Sequence, residues 1–427
     1  MSERARFGRN LATLVSGEVL SRGLTFVAFT RLARVLDPGS YGRVELALAV
    51  MIFLTLVVDL GLGVIGTREI AGRGVPVVPL MRRVVSAQLL LAVAVYGLLG
   101  LALFCLPLQA VLTRLLLVFG LSLFGFPFVL PWVFQGWNQM TPVAVLQVLR
   151  QAVFAAVALS AVHGPADLHV LPWAEVAGAG VAALGYVGLL WRAGEPVTID
   201  LRAGWDPPLV RESLPIGGSQ LVWAARMYLP IVLIAATSGQ AAVGFFGAAH
   251  RIVMVGQTIV GVYFTTLFPE MSEVSVRSPE ALATLLHRSG RWVLWPMVAV
   301  AAATTLAAPP FMGVVFGSQF MRREASTTLA VLIWILPILA LRRNHRGALI
   351  TLNHQGEELV CSLLGLALLV AVTLPLGARY GSVGGAWAMV ISEFAGAALT
   401  WWRLTRHLRA LRSPHARLGE PYAWLRQ

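Results

Sequence analysis

The stretch RRVVSAQLLLAVAVYGLLGLALFCL, Arg82 to Leu106, decides the fold. After its two arginines it carries no charged side chain. A helix rising about 1.5 Å per residue crosses a hydrocarbon layer about 30 Å thick in about 20 residues, and this run is long enough. Working outward, eleven more segments qualify when polar interruptions are allowed: 11–35, 42–66, 114–135, 141–162, 170–191, 211–236, 241–268, 289–312, 326–350, 357–377 and 382–402. The composition agrees. Of the 427 residues, 57% are apolar or aromatic and 12% charged, with a mean hydropathy of +0.76, against roughly a quarter charged in soluble domains. A water-soluble multi-domain enzyme is excluded. The expectation is an all-α integral membrane protein of about twelve transmembrane helices, and an even number puts both termini on one side.

All 33 basic residues are arginine, against 20 acidic ones. The absence of lysine excludes a Walker A loop, a Schiff-base enzyme and a kinase-type strand lysine. Arg4, Arg6 and Arg9 precede the first run as in a signal peptide, but the run is too long and lacks a small-residue cleavage site, so it reads as a retained span. Cys105 and Cys361 lie in apolar runs and read as small buried hydrophobes, with no disulfide or metal spacing.

Basic connections resist translocation. With the amino terminus inside, 22 arginines fall on the cytoplasmic side, among them Arg68, Arg73, Arg82, Arg83, Arg417 and Arg426, and six on the other: Arg34, Arg43, Arg114, Arg322, Arg323 and Arg379. This fixes both termini as cytoplasmic and accounts for most of the positive charge without nucleic acid. The other five, Arg22, Arg31, Arg150, Arg226 and Arg251, lie inside spans.

The polar break 193–209 divides the chain into an N-lobe of six spans (1–200), a C-lobe of six (201–405) and a basic tail (406–427). Leu282, Leu285 and Leu286 predict a short helix on the inner surface within 269–288, and Leu404, Leu408 and Leu411 an interfacial stripe. A weak internal repeat relates Arg34–Gly42 (RVLDPGSYG) to Ser238–Gly244 (SGQAAVG), and Arg22 to Arg226, 204 positions later. Transporters built from repeats place their sites near the midplane between lobes.

Several blocks resemble one family: Arg31–Gly42 (RLARVLDPGSYG), Asp59–Gly63 (DLGLG) with Thr67, Arg68 and Glu69, Val243–Arg251 (VGFFGAAHR), Leu267–Met271 (LFPEM), Phe316–Phe320 (FGSQF) and Tyr380–Ala386 (YGSVGGA). Their order is similar to that in the Wzx-type oligosaccharide flippases of bacterial polysaccharide biosynthesis, a branch of the MOP superfamily with the lipid II flippases and MATE exporters. The resemblance implies two six-helix lobes in a MOP/MATE-like V, a cavity alternately open to each side of the bacterial or archaeal cytoplasmic membrane, and an undecaprenyl-pyrophosphate-linked oligosaccharide as substrate. Many relatives carry an acidic residue in the seventh span, where this chain reads Ala225, Arg226, Met227, Tyr228.

A charge at bilayer centre costs about 2.5 to 3.5 kcal/mol on insertion scales, so the midspan arginines need compensation. Arg22, Arg150, Arg226 and Arg251 fall near the middle of their spans and form the candidate substrate-binding set. Planar guanidinium groups suit a diphosphate. The alternative for each is structural: Glu18 stands one turn before Arg22, Gln147 and Gln151 flank Arg150, and His250 adjoins Arg251. Arg226 has no acidic neighbour within a turn. Arg31, near a span end, can snorkel. Glu18 and Asp59 are candidates for coupling or pairing, Asp59 as a cap or as a partner of Arg68. Glu175 and Glu393 are lone acids, protonation sites or hydrogen-bond partners of neighbouring helices. The cluster Arg342, Arg343, Asn344, His345 and Arg346 marks the cytoplasmic end of the tenth span. Trp132, Phe134, Trp137, Trp401 and Trp402 read as an aromatic belt, with sugar stacking as the alternative. Pro127, Pro131, Pro215 and Pro230 should bend their helices.

The function expected is a non-enzymatic flippase with no catalytic residue, metal or cofactor. Its partners are the lipid-linked substrate, membrane lipid, and glycosyltransferases and a polymerase of the same pathway. The rivals are a MATE-like exporter, which wants an acidic cavity, and a multispanning polymerase or ligase, which wants a sizeable outer loop.

Overall fold

The computed structural model of the protein describes residues 3–204 and 206–412. Arg417 and Arg426, and the side chains of Leu411 and Arg412, lie outside what is described. Among the described residues there is no β-strand. Helices alone satisfy every backbone donor and acceptor without water, as a hydrocarbon surround requires.

The first half contains α1 (Glu3–Val35), α2 (Pro38–Asp59), α3 (Leu62–Arg73), α4 (Val77–Cys105), α5 (Ala110–Gly120), the single turn α6 (Ser122–Gly125), α7 (Pro131–Gly136), α8 (Met140–Ala161), α9 (Val170–Arg192) and the short α10 (Leu201–Gly204). Then come α11 (Pro207–Arg277), α12 (Pro279–Leu306), α13 (Ala308–Phe316), α14 (Arg323–Leu332), α15 (Ile335–Thr351) and α16 (Gln355–Arg412). Nine helical stretches among the described residues are long and apolar enough to cross a membrane, or ten if α12 and α13, bent by 81°, make one span. At 71 residues α11 would reach about 106 Å if straight. It is broken at Gly239 (φ 80°), and the 58-residue α16 at Gly381 (φ 59°). These breaks are tied: Ser238 donates to the Gly377 carbonyl at 2.5 Å, and Ser382 donates through N and Oγ to Glu324 Oε1 at 3.3 and 2.8 Å.

The chain divides into two compact units, Met1–Val232 and Leu233–Gln427. The first packs around Leu62, Ile65, Trp132, Val133 and Tyr186. The second packs around Leu282, Leu286, Ala348, Leu349 and Leu404. Within the first unit the connector after α9 is clamped on α4. Asp200 N donates to Ser86 Oγ at 2.9 Å, and Arg83 Nε to Asp206 Oδ2 at 2.6 Å. A Cβ on Gly204 would stand 2.6 Å from the Ser86 backbone.

The sequence blocks with turn-forming residues become breaks. Asp37 caps α2 by accepting from Ser40 N at 2.9 Å. In DLGLG, Leu60 (φ 48°) and Gly61 (φ 81°) both take the left-handed conformation. Gly61 also packs on α11, where a Cβ would lie 2.8 Å from Gly217 N, so an L side chain is excluded twice.

Several expectations are corrected. The second span, expected over 42–66, ends at Asp59 because of that break. Residues 279–288 are no separate surface helix but the start of α12, capped by Ser278, with Leu282 and Leu286 in the core. Leu404 and Leu408 likewise lie within α16 and pack inward, Leu404 being buried. Trp132 is buried against Gly66 instead of lying in a belt, whereas Trp401 and Trp402 are exposed. Cys361 is buried as expected, but Cys105 is exposed.

Candidate functional site

Small residues set up the first cluster. A Cβ on Gly17 of α1 would stand 2.7 Å from the Ala144 Cβ of α8, and one on Gly178 of α9 would stand 2.7 Å from the Arg150 carbonyl of α8. With the backbones this close, polar side chains bridge three helices. Arg22 Nε donates to Glu18 Oε1 at 2.5 Å, and Gln147 Nε2 donates to Glu18 Oε2 at 2.6 Å. Arg150 Nη2 pairs with Glu175 Oε1. The intrahelical Glu18–Arg22 pair matches the i, i+4 spacing, while Glu175 proves to be the partner of Arg150 on the next helix.

These two candidate arginines are therefore neutralised pairwise. They are not sealed: side-chain exposure is 45% for Arg22 and 37% for Arg150. A guanidinium that keeps one carboxylate and an open side still has donors to offer. Arg226 lies half-buried on the first arm of α11. Arg251, in the other unit, is half-buried on the second arm, next to His250, whose buried ring stacks on Phe246 with centroids 5.7 Å apart.

A second polar locus in the first unit is a cavity of about 590 Å³ whose lining includes Asp59, Thr67, Arg68, Gln88, Trp132 and Gln135. Asp59 caps the break that follows it, accepting from Gly61 N at 3.3 Å, Gly63 N at 3.4 Å and Gln88 Nε2 at 3.2 Å. Between a cap and a pair with Arg68, the contacts of Asp59 are those of a cap. Arg68 instead reaches Glu212 at 2.5 Å and Glu69 at 3.2 Å. Glu212 stands 144 positions away, beyond any spacing rule.

In the second unit the arginine cluster lies within α15, which runs on to Thr351. Arg342 is 3% exposed and its Nη1 contacts both oxygens of Glu393 at 3.1 Å, while Nη2 donates to Ser362 Oγ at 3.1 Å. Arg346 pairs with Glu358 at 3.3 Å. Asn344 donates to the Leu286 carbonyl at 2.7 Å and accepts from Ser289 Oγ at 3.0 Å. The sequence offered Glu393 as a partner of a neighbouring helix but did not point to Arg342, 51 positions away. The one available signal was the excess of polar residues in an apolar helix.

Comparison with known proteins fits this architecture. Residues 7–275 match the family described as polysaccharide biosynthesis protein. A relative from Shigella dysenteriae, named as a candidate O-antigen transporter, is 22% identical over 375 residues, covering 86% of this chain and 91% of its own. Among solved structures, the lipid II flippase MurJ in an inward closed conformation superposes with a TM-score of 0.74 at 12% identity, over 92% of this chain and 87% of that one. An inward-facing multidrug resistance MATE transporter of the MOP superfamily gives 0.72 at 16%, over 93% and 96%. The chain belongs to the polysaccharide biosynthesis protein family, as a multi-pass membrane protein with the fold of the MOP-superfamily transporters and flippases.

Proposed function

We propose that the chain is a flippase that carries an undecaprenyl-pyrophosphate-linked oligosaccharide from the cytoplasmic to the outer leaflet by alternating access of the N-lobe (1–200) and the C-lobe (201–405). The observation that carries this reading is the family match over residues 7–275. The relative named for O-antigen transport and the fold neighbour named as a lipid II flippase point the same way. Counting each arm of α11 and α16 as a crossing, and bent α12–α13 as one, gives twelve spans, and the arginine distribution favours cytoplasmic termini.

Arg22, Arg150, Arg226 and Arg251 bind the pyrophosphate. Glu18 and Glu175 hold two of these guanidinium groups in place until the substrate arrives, and the diphosphate then takes over their hydrogen bonds. Such an exchange avoids leaving a cation bare in an apolar surround. The carboxylate set free is available to a proton, which gives Glu18 a coupling role. The inside-negative potential favours outward movement of the anionic substrate by about 2.3 kcal/mol per charge per 100 mV. Glycosyltransferases and a polymerase of the same pathway supply and consume the cargo.

The likeness to a MATE transporter favours a second reading, export of small molecules. Both are tested with the purified chain in vesicles, following translocation of lipid-linked oligosaccharide and efflux of a cationic dye in parallel. Translocation that is lost in Arg226→Ala and slowed in Glu18→Gln is the expected result. Dye efflux without oligosaccharide movement would establish the exporter instead, and a cleaved or elongated product would establish an enzyme.

A further inference from the structure

After α15 the chain turns through Asn353 in the left-handed region (φ 66°), and His354 N donates to the Leu349 carbonyl at 2.9 Å. That turn sets His354 one helical turn ahead of Glu357 at the start of α16. The far end of α16, folded back at Gly381, brings His407 to the same place. His407 Nε2 lies 2.9 Å from Glu357 Oε1, and His354 Nδ1 lies 3.8 Å from the same oxygen. The two imidazoles stack with centroids 3.7 Å apart and planes at 21°. The ligand atoms of the three side chains all fall within 4.8 Å of one another. The other carboxylate oxygen of Glu357 accepts from Arg403 Nη1 at 3.4 Å.

We propose that His354, Glu357 and His407 form a binding site for one divalent transition-metal ion of the zinc type. Two neutral imidazoles and one carboxylate are the donor set zinc prefers, with a fourth position left for water. Bonds of about 2.0 to 2.2 Å arranged tetrahedrally put donor atoms about 3.3 to 3.6 Å apart, and the observed 2.9 and 3.8 Å bracket that spacing. Seating an ion draws the three ligand atoms, all within 4.8 Å of one another, to that spacing. Arg403 supplies the outer hydrogen bond that orients a ligating carboxylate, leaving Oε1 to the metal. Arg346 and Arg342 are engaged elsewhere, with Glu358 and Glu393. An ion here pins the first turn of α16 to a segment about 50 residues further along the same helix, clasping its two arms at the end remote from Gly381.

The test uses the full chain in detergent, with any affinity tag removed and metal stripped by chelator. Zinc is titrated by calorimetry, and the loaded protein is examined by zinc K-edge X-ray absorption. The expected result is one equivalent bound per chain, with a shell of two imidazoles and a carboxylate oxygen. His354→Ala and His407→Ala should each weaken binding by about 10-fold or more, and a His163→Ala/His169→Ala control should bind as the parent does. Zinc should also raise the melting temperature of the parent but not of the two site variants. The absence of stoichiometric binding at micromolar zinc, a shell of another composition, or affinity unchanged in both site variants would overturn the proposal. The absorption spectrum is taken on the unsubstituted protein, so it decides even if a variant fails to fold.

Discussion

Replacing Glu393 with Ala should be among the most damaging single changes in the second unit. Its carboxylate accepts two contacts from Arg342, a residue only 3% exposed. Removing the acid leaves a guanidinium where water does not reach, and breaking such a pair from one side costs about 3–5 kcal/mol. A bare charge at the centre of a membrane helix is assigned about 2.5 to 3.5 kcal/mol, so two independent routes converge near 3 kcal/mol. Two remaining contacts soften the loss: Ser362 Oγ at 3.1 Å, and Glu358 at 4.0 Å from Nη2. The expected destabilisation is therefore about 2–3 kcal/mol, roughly a 30- to 150-fold fall in the folding constant. Reversible unfolding in mixed micelles of increasing denaturing detergent, followed by circular dichroism, reads this directly. The double variant Arg342→Met/Glu393→Leu removes both charges at similar volume and should recover most of the loss, because a buried pair contributes little over apolar packing. The reasoning fails if Glu393→Ala lies within about 0.5 kcal/mol of the parent, or if the double variant is as unstable as the single.

Other changes probe other contacts. Gly61→Ala places a Cβ at φ 81° and 2.8 Å from Gly217 N; a loss of about 1–3 kcal/mol in the same unfolding assay is expected. Gly178→Leu, aimed at the Arg150 carbonyl, should part α8 from α9. Vesicle transport should then fall well below that of Gly180→Leu, a site with open space around it. His354 lies below its ordinary value of 6.5, chiefly through burial, with repulsion from His407 added and attraction to Glu357 partly offsetting it. The folded state thus binds this proton less readily than the unfolded one, so stability is retained above about pH 6.5 and declines as pH falls below it. Arg403 adds to the positive side of that balance. In the presence of chelator, melting curves between about pH 7.5 and 5.5 should steepen in their pH dependence for the parent relative to His354→Gln.

What the sequence made legible is what acts along one helix or at one turn. The apolar runs announce themselves by length, and Asp37, Gly61, Gly239, Gly317 and Gly381 lie in the motifs that fold as caps or positive-φ turns. Glu18 and Arg22 are four residues apart, so their pairing follows from helical pitch. Partners on different helices leave no such trace. Arg150 meets Glu175 across 25 positions, Arg342 meets Glu393 across 51 and Arg83 meets Asp206 across 123, and nothing in the hydropathy of either helix fixes which faces will touch. For the same reason Trp132 could not be told from a belt residue. Its burial depends on Gly66, which leaves space for the indole on a helix that hydropathy merged with its predecessor. His407 escaped notice because its neighbours lie 50 or more positions upstream.

The clamp that holds Asp200, Gly204 and Asp206 on α4 changes what this polar segment is. A polar segment between two groups of helices invites comparison with a slack tether, yet this one is fastened by Asp200, Gly204 and Asp206, and α11 begins at the very next residue, Pro207. At these three points the segment belongs to the packing of α4 and is not slack. What composition marks as a linker is built into the wall of the first unit, with polar contacts doing the fastening that apolar packing does elsewhere.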